Sequence, residues 1–148
     1  MEQPPPERDL LTTVPMTPSE TPVRQIMSPG VIAVSGETTA SACAAAMYER
    51  RTHAILVVDN KDRRPLGWVF HRDVLKCVRQ DPYTTRAADF ISAEAAYIHP
   101  EETVENAADR MVEEGVTHLL VGHGQDSLPE GVLSSWDLVS YYAGRSSR

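Results

Sequence analysis

Five histidines, at positions 53, 71, 99, 118 and 123, are the side chains best suited to metal ligation or proton transfer near neutral pH. No HxxxH or HExxH pair occurs, so no helix face offers two imidazoles to one ion. His118 and His123 could meet a metal across a turn, but no metal is expected. Cys43 and Cys77 lack CxxC spacing, sit in segments that read as helical, and are expected to be buried free thiols. Gly122-His123-Gly124 begins like a dinucleotide loop, yet Ser127 stands where the third glycine belongs and no helix follows. That segment reads as a hairpin loop. The carboxylates of Glu101, Glu102 and Glu105, and of Glu113 and Glu114, fall at helix ends and on exposed faces and read as solvated. Catalysis needs a nucleophile with its base, a metal cluster or paired carboxylates, and none is visible. The chain is not read as an enzyme.

The elements that position the remaining polar groups come as a repeat. An offset of 64 residues aligns the second half on the first without a gap, with identities that include eleven spread along the unit. The eleven are Ser28/Ser92, Glu37/Glu101, Thr39/Thr103, Ala44/Ala108, Met47/Met111, Glu49/Glu113, Leu56/Leu120, Val57/Val121, Pro65/Pro129, Gly67/Gly131 and Asp73/Asp137. Fixed-period self-similarity of this kind marks a duplicated structural unit. Within the first copy, Val31 to Val34 reads as a strand. Thr39 is the expected N-cap of a helix burying Ala42, Ala45, Ala46 and Met47. Ala54 to Val58 and Gly67 to Phe70 form a hairpin around the polar turn Asp59-Asn60-Lys61-Asp62. Asp73 then opens a helix expected to face Val74, Leu75 and Val78 inward. The unit is βαββα. Residues 95–143 repeat the order, with Gly115 as a helix C-cap, so the fold class is α+β.

At 148 residues and 16.4 kDa, two units of about 60 residues would each be marginal alone and are expected to share a core. Net charge is −7, made up of −3 over residues 1–22, +4 over 23–86 and −8 over 87–148. An acidic chain without a basic stripe is a poor ligand for duplex nucleic acid. The longest apolar runs, such as Ala42 to Tyr48, are far short of the roughly 20 residues that span a bilayer, and residues 1–7 show no export signal, so a cytoplasmic location is expected. Residues 1–22 hold six of the eleven prolines and read as a flexible arm; 81–86 read as a linker and 145–148 as a frayed tail.

Both copies then resemble the CBS domain family, whose members usually come in pairs called Bateman modules. The resemblance rests on Val23-Arg24-Gln25-Ile26-Met27-Ser28, on His53-Ala54-Ile55-Leu56-Val57-Val58-Asp59, and on Gly67-Trp68-Val69-Phe70-His71-Arg72-Asp73. Gly131-Val132-Leu133-Ser134-Ser135-Trp136-Asp137 supplies the second copy of the last element. It implies CBS domains over 23–80 and 87–144, packed about a pseudo-two-fold axis, with two clefts between them that often hold adenosine-based ligands. In nucleotide-binding members the Gly-to-Asp segment forms the ribose and phosphate end. A carboxylate can accept both ribose hydroxyls, and a small hydroxyl with free helix amides suits phosphate.

By this resemblance the better site joins Ser134 and Asp137 to Ile32, Thr52, His53 and Ala54. The weaker site joins Asp73 to Ala96, Val116, Thr117 and His118, because Phe70 replaces the expected Ser or Thr. Ala54 also stands where some relatives carry an arginine after the histidine, which weakens the hold on phosphate. Each residue has a plainer reading: helix capping for Asp73 and Asp137, a favourable helix terminus for His53, relief of strand crowding for Gly67 and Gly131, packing for Trp68 and Trp136. Two functions follow. One is a sensing module that binds AMP, ADP, ATP or S-adenosylmethionine, requires no cofactor, and signals to an unknown effector protein. The other is a ligand-free dimerisation and assembly module. A homodimer is expected under both.

Overall fold

The computed structural model of the chain describes residues 17–145, so expectations for 1–16 and 146–148 lie outside the described residues. Seven strands and four helices occur among the described residues. They are β1 (Ser28–Pro29), β2 (Ala33–Ser35), α1 (Ala40–Arg50), β3 (Ala54–Val58), β4 (Pro65–Phe70), α2 (His71–Lys76), β5 (Tyr97–Ile98), α3 (Val104–Glu114), β6 (His118–Val121), β7 (Gly131–Ser134) and α4 (Ser135–Tyr142). One sheet runs β2-β3-β4 and the other β1-β7-β6-β5. The register repeats with the sequence: Ala54 pairs with Phe70 as His118 pairs with Ser134, and Ala33 with Leu56 as Tyr97 with Leu120. The fold is the α+β pair of βαββα repeats read from the sequence. No helix among the described residues is long and apolar enough to cross a membrane.

Burial explains why β3 and β6 are continuous apolar runs rather than alternating ones. Ile55 and Val57 point to α1 and α2 with Cys43, Met47 and Val69, whereas Ala54 and Leu56 point to the other sheet with Trp68 and Leu120. A strand covered on both faces has no polar side. Cys43 and Cys77 are buried free thiols, and burial pushes the Cys43 thiol up to about 11.

The two sheets are not independent. β1 leads the first repeat but pairs antiparallel with β7 of the second, Ser28 with Val132 and Pro29 with Gly131. The mirror contact joins the start of the second repeat to β4: Trp68 N–H donates to Ala93 O at 2.8 Å and Ser92 N–H to Trp68 O at 3.1 Å. At both crossings the backbones come so close that only glycine fits. A Cβ on Gly131 would fall 2.4 Å from Ser28 O, and one on Gly67 would fall 2.6 Å from Ala93 O. The same swap buries Val23 in the second repeat's core and Ala87 in the first's.

Residues 17–22, expected with the flexible arm, are docked. Thr21 O accepts from Val104 N–H at 2.8 Å and Pro18 O from Glu105 N–H at 3.1 Å, which satisfies the first amides of α3. Thr85 O and Pro82 O do the same for Ala40 and Ser41 at the start of α1, at 2.8 and 2.9 Å. The linker and the end of the arm are thus equivalent parts of the two repeats, and Pro18/Pro82 and Thr21/Thr85 carried that signal in the sequence.

Three local expectations change. On α1 the buried residues are Ala40, Cys43 and Met47, while Ala42 and Ala45 face solvent; alanine on every side leaves composition unable to choose the face. Leu75 is 66% exposed, on the outer face of a helix only two turns long. Asp73 and Asp137 are not N-caps but third residues of their helices, whose N-caps are Phe70 and Ser134. Thr39 and Gly115 do cap α1 and α3 as read.

The Gly131→Ala variant is expected to lose roughly 1–3 kcal/mol, because the added methyl meets backbone rather than a yielding side chain. Urea unfolding of the variant beside the parent checks it. A loss within error would mean that β1 can leave β7 without cost.

Candidate functional site

Helix α4 begins with two reciprocal bonds that set the end of one cleft. Ser134 Oγ accepts from Asp137 N–H at 3.1 Å, and Asp137 Oδ2 accepts from Ser134 N–H at 2.8 Å, a capping box. This fixes the Asp137 carboxylate, 4% exposed, at the base of the opening. In the first repeat Phe70 has no acceptor to offer. There Asp73 Oδ2 accepts from Phe70 N–H and from the Ser92 hydroxyl, each at 2.7 Å, and Lys76 Nζ lies 3.3 Å from Oδ1. Asp73 is therefore occupied by groups of its own fold.

The cleft at Asp137 has a volume of about 550 Å³ and takes walls from both repeats: Ile32, Thr52 and Ala54 from the first, Val132, Ser134 and Asp137 from the second. The loop Pro29-Gly30-Val31 and Trp68 also line it. His53 is absent from that wall. It lines an adjoining groove of about 740 Å³ that shares Arg51, Thr52, Ser134 and Asp137 with the cleft and adds His71, Arg72 and Trp136. The cleft at Asp73 is smaller, about 350 Å³, and brings Asp73, Val116, Thr117 and His118 together with Ser92 and Lys76. Ala96 does not line it, because its side chain packs against the second repeat's core instead.

His118 belongs to all three openings, although the sequence reading assigned it to the smaller one. Its ring packs against Trp68 and Phe70, with centroids 5.2 and 5.4 Å away. Burial holds the imidazole below its usual range; Asp137 opposes this and His53 adds to it. The equivalent residue in the first repeat is Ala54, so the pseudo-two-fold axis is broken at the centre of the site. Trp68, read as a packing residue, is 3% exposed yet borders both clefts, and its buried indole N–H has no hydrogen-bond partner among the described residues. Its only sequence signal was its place between Gly67 and Asp73.

His123 pairs with Glu130 at 2.9 Å and meets His99 edge-on, away from His118. Among the described residues no group of three or more His, Cys, Asp or Glu side chains is placed to hold a metal ion.

Comparison with known proteins settles the family. The sequence profile described as "CBS domain" matches twice, over residues 23–80 and 87–144. The chain belongs to the CBS domain family. A bacterial CNNM/CorC family Mg2+ transporter CBS domain, solved in complex with ATP, is similar over 95% of this chain and 99% of its own, with 18% identity and a TM-score of 0.79. A putative signal-transduction protein with CBS domains from Burkholderia ambifaria MC40-6 is 26% identical, over 84% of this chain and 95% of its own, with a TM-score of 0.73. A CBS domain pair solved with 5′-methylthioadenosine and S-adenosyl-L-methionine is 18% identical, over 84% of this chain and 97% of its own, with a TM-score of 0.72. No curated protein matches the chain in sequence. CBS pairs are regulatory ligand-sensing modules, and this chain carries one complete pair.

The depressed His118 value makes a stability prediction. The unfolded chain takes up this proton near the ordinary value of 6.5, and the folded chain resists it, so the contribution of His118 is full above that pH and is lost as pH falls below it. Between about pH 7.5 and about pH 5.5 the melting temperature of the parent should fall more than that of His118→Gln. Parallel falls in the two proteins would remove His118 as the cause.

Proposed function

We propose that this CBS pair is a regulatory module that binds an adenosine-containing small molecule, AMP, ADP, ATP or S-adenosylmethionine, between its repeats and signals the occupancy to a partner protein. One observation carries the reading: a single cleft joins Ile32, Thr52 and Ala54 of the first repeat to Ser134 and the fixed carboxylate of Asp137 in the second. In this reading Asp137 accepts the ribose hydroxyls, Ser134 lies towards the phosphate, and Ile32 and Ala54 flank the adenine with apolar surface. His53 acts from the adjoining groove. The smaller cleft at Asp73 is a poorer candidate, since it has less room and Phe70 offers no hydroxyl at its end. The similar structures solved with ATP and with S-adenosyl-L-methionine support the ligand class. A ligand touching both repeats shifts the pair only through contacts that differ between its arrangements, and bridging contacts have that property. The module has no catalytic role in this proposal and works in the cytoplasm, where adenine nucleotides are present.

A second reading, assembly without ligand, is favoured by the helices. Tyr48 on α1 and Val112 on α3 are equivalent positions, as are Leu75 on α2 and Val139 on α4, and all four are exposed. Apolar side chains repeated on equivalent outer faces suit a symmetric contact with a second copy. The two readings are compatible in a ligand-sensing homodimer.

Thermal shift with AMP, ADP, ATP and S-adenosylmethionine tests the first reading. A ligand at about 100 times its dissociation constant should add about 2.7 kcal/mol. Asp137→Asn, which keeps an acceptor for Ser134 N–H, should abolish the shift. A well-folded parent that responds to none of the four would leave assembly as the function. Sedimentation velocity tests the homodimer: the parent should run at twice its 16.4 kDa chain mass, and Leu75→Glu with Val139→Glu should run as single chains. A parent sedimenting as a single chain at micromolar concentration would refute the dimer.

A further inference from the structure

Arg51 ends α1 in the left-handed conformation, with φ 52° and ψ 47°. The equivalent residue of the second repeat is Gly115, at φ 67° and ψ 34°, the residue that this backbone geometry favours. A long, branched side chain is thus kept at a position where its own fold would be better served by glycine. Residues held in such a conformation concentrate where a side chain is needed at a site. Arg51 lines the cleft at Asp137 and the adjoining groove alike. It forms no ion pair or side-chain hydrogen bond among the described residues, in contrast to Arg24, Arg86 and Arg110, which are all paired with glutamates. Arg72, also without an ion-pair partner among the described residues, lines the same groove from the first turn of α2. His53 and His71 line the same groove, ring centroids 4.7 Å apart. Against these groups the groove presents one carboxylate, Asp137.

We infer that Arg51, with Arg72 beyond it, is a polyphosphate clamp, so that the cleft selects nucleoside triphosphates over AMP and over S-adenosylmethionine. The inference rests on the reading of Asp137 as the ribose acceptor: a ribose held there sends its 5′ substituent past Ser134 into the groove that Arg51 borders. Successive phosphates along that line meet first one guanidinium and then the other, each able to donate in a two-pronged geometry. S-adenosylmethionine places a sulfonium cation at the same 5′ position, where Arg51 repels it. The charge expected from an arginine after His53, which is Ala54 here, comes in this chain from two residues before it. The sequence concealed it, since Arg50-Arg51 reads as the solvated end of a helix.

Isothermal titration of the full chain with adenosine, AMP, ATP, S-adenosylmethionine and inorganic tripolyphosphate tests the inference, with Arg51→Gly as the variant. Glycine is the residue of the second repeat and relieves the left-handed backbone, so the variant should melt no lower than the parent. In the parent, affinity should rise from adenosine to AMP to ATP, and Arg51→Gly should weaken ATP by about tenfold to hundredfold, the usual range for a hydrogen bond between charged groups. Adenosine should bind the variant as it binds the parent. ATP bound no more tightly than adenosine, or equally by parent and variant, overturns the clamp while leaving the adenosine reading in place. Tripolyphosphate binding that Arg51→Gly removes, in a protein that ignores adenosine, supports the clamp and overturns the adenosine reading. Failure of both ATP and tripolyphosphate to bind overturns the clamp.

Discussion

The two backbone crossings at Gly67 and Gly131 are the constraint on which the rest of the structure depends. At each, the chain that leads into one repeat lies against the last strand of the other, closer than any side chain permits. Each sheet is therefore completed by the opposite repeat, and each helical core contains a residue from it, Val23 in one and Ala87 in the other. A repeat removed from its partner would expose both the edge of its sheet and a hole in its core. The crossings also place the clefts. Each opening lies beside a crossing strand, so one wall always comes from the first repeat and the other from the second.

On this symmetric frame the side chains at the centre are not symmetric, and the differences point in one direction. Ser134 caps α4 where Phe70 heads α2, which leaves the first copy without a hydroxyl at its opening. His118 stands where the first repeat has Ala54, and its imidazole packs on Trp68 and Phe70 where the openings meet. Arg51 replaces the glycine of the other helix end on the side of the larger cleft. Duplication supplied two equivalent openings, and these substitutions accompany one that is roomier, with a hydroxyl at its end, and one that is smaller, with Phe70 in the hydroxyl's place.

The fold was legible because burial on both faces of β3 and β6 forces continuous apolar runs, and because the whole βαββα unit recurs at one offset. The limits of the repeat were less so. Proline content drew residues 17–22 into a flexible arm, although their carbonyls serve the first amides of α3 just as Pro82 and Thr85 serve α1. Helix faces were obscure where composition was uniform, as on α1 with alanine all round. Short helices misled for a related reason: in α2 the two-turn length leaves Leu75 outside whatever its hydropathy.

By itself the sequence determined the family, the duplication, the strands and helices, and the pair Ser134 and Asp137, because these depend on residue type at a spacing that local geometry enforces. Tertiary structure alone decided which groups share an opening. It put His53 in the groove and not on the cleft wall, drew Ala96 away from both, placed Trp68 and His118 at the centre, and turned Arg51 from a helix end into part of a cleft. Those outcomes follow from how two sheets cross, and a crossing joins residues far apart in the chain that no local spacing connects.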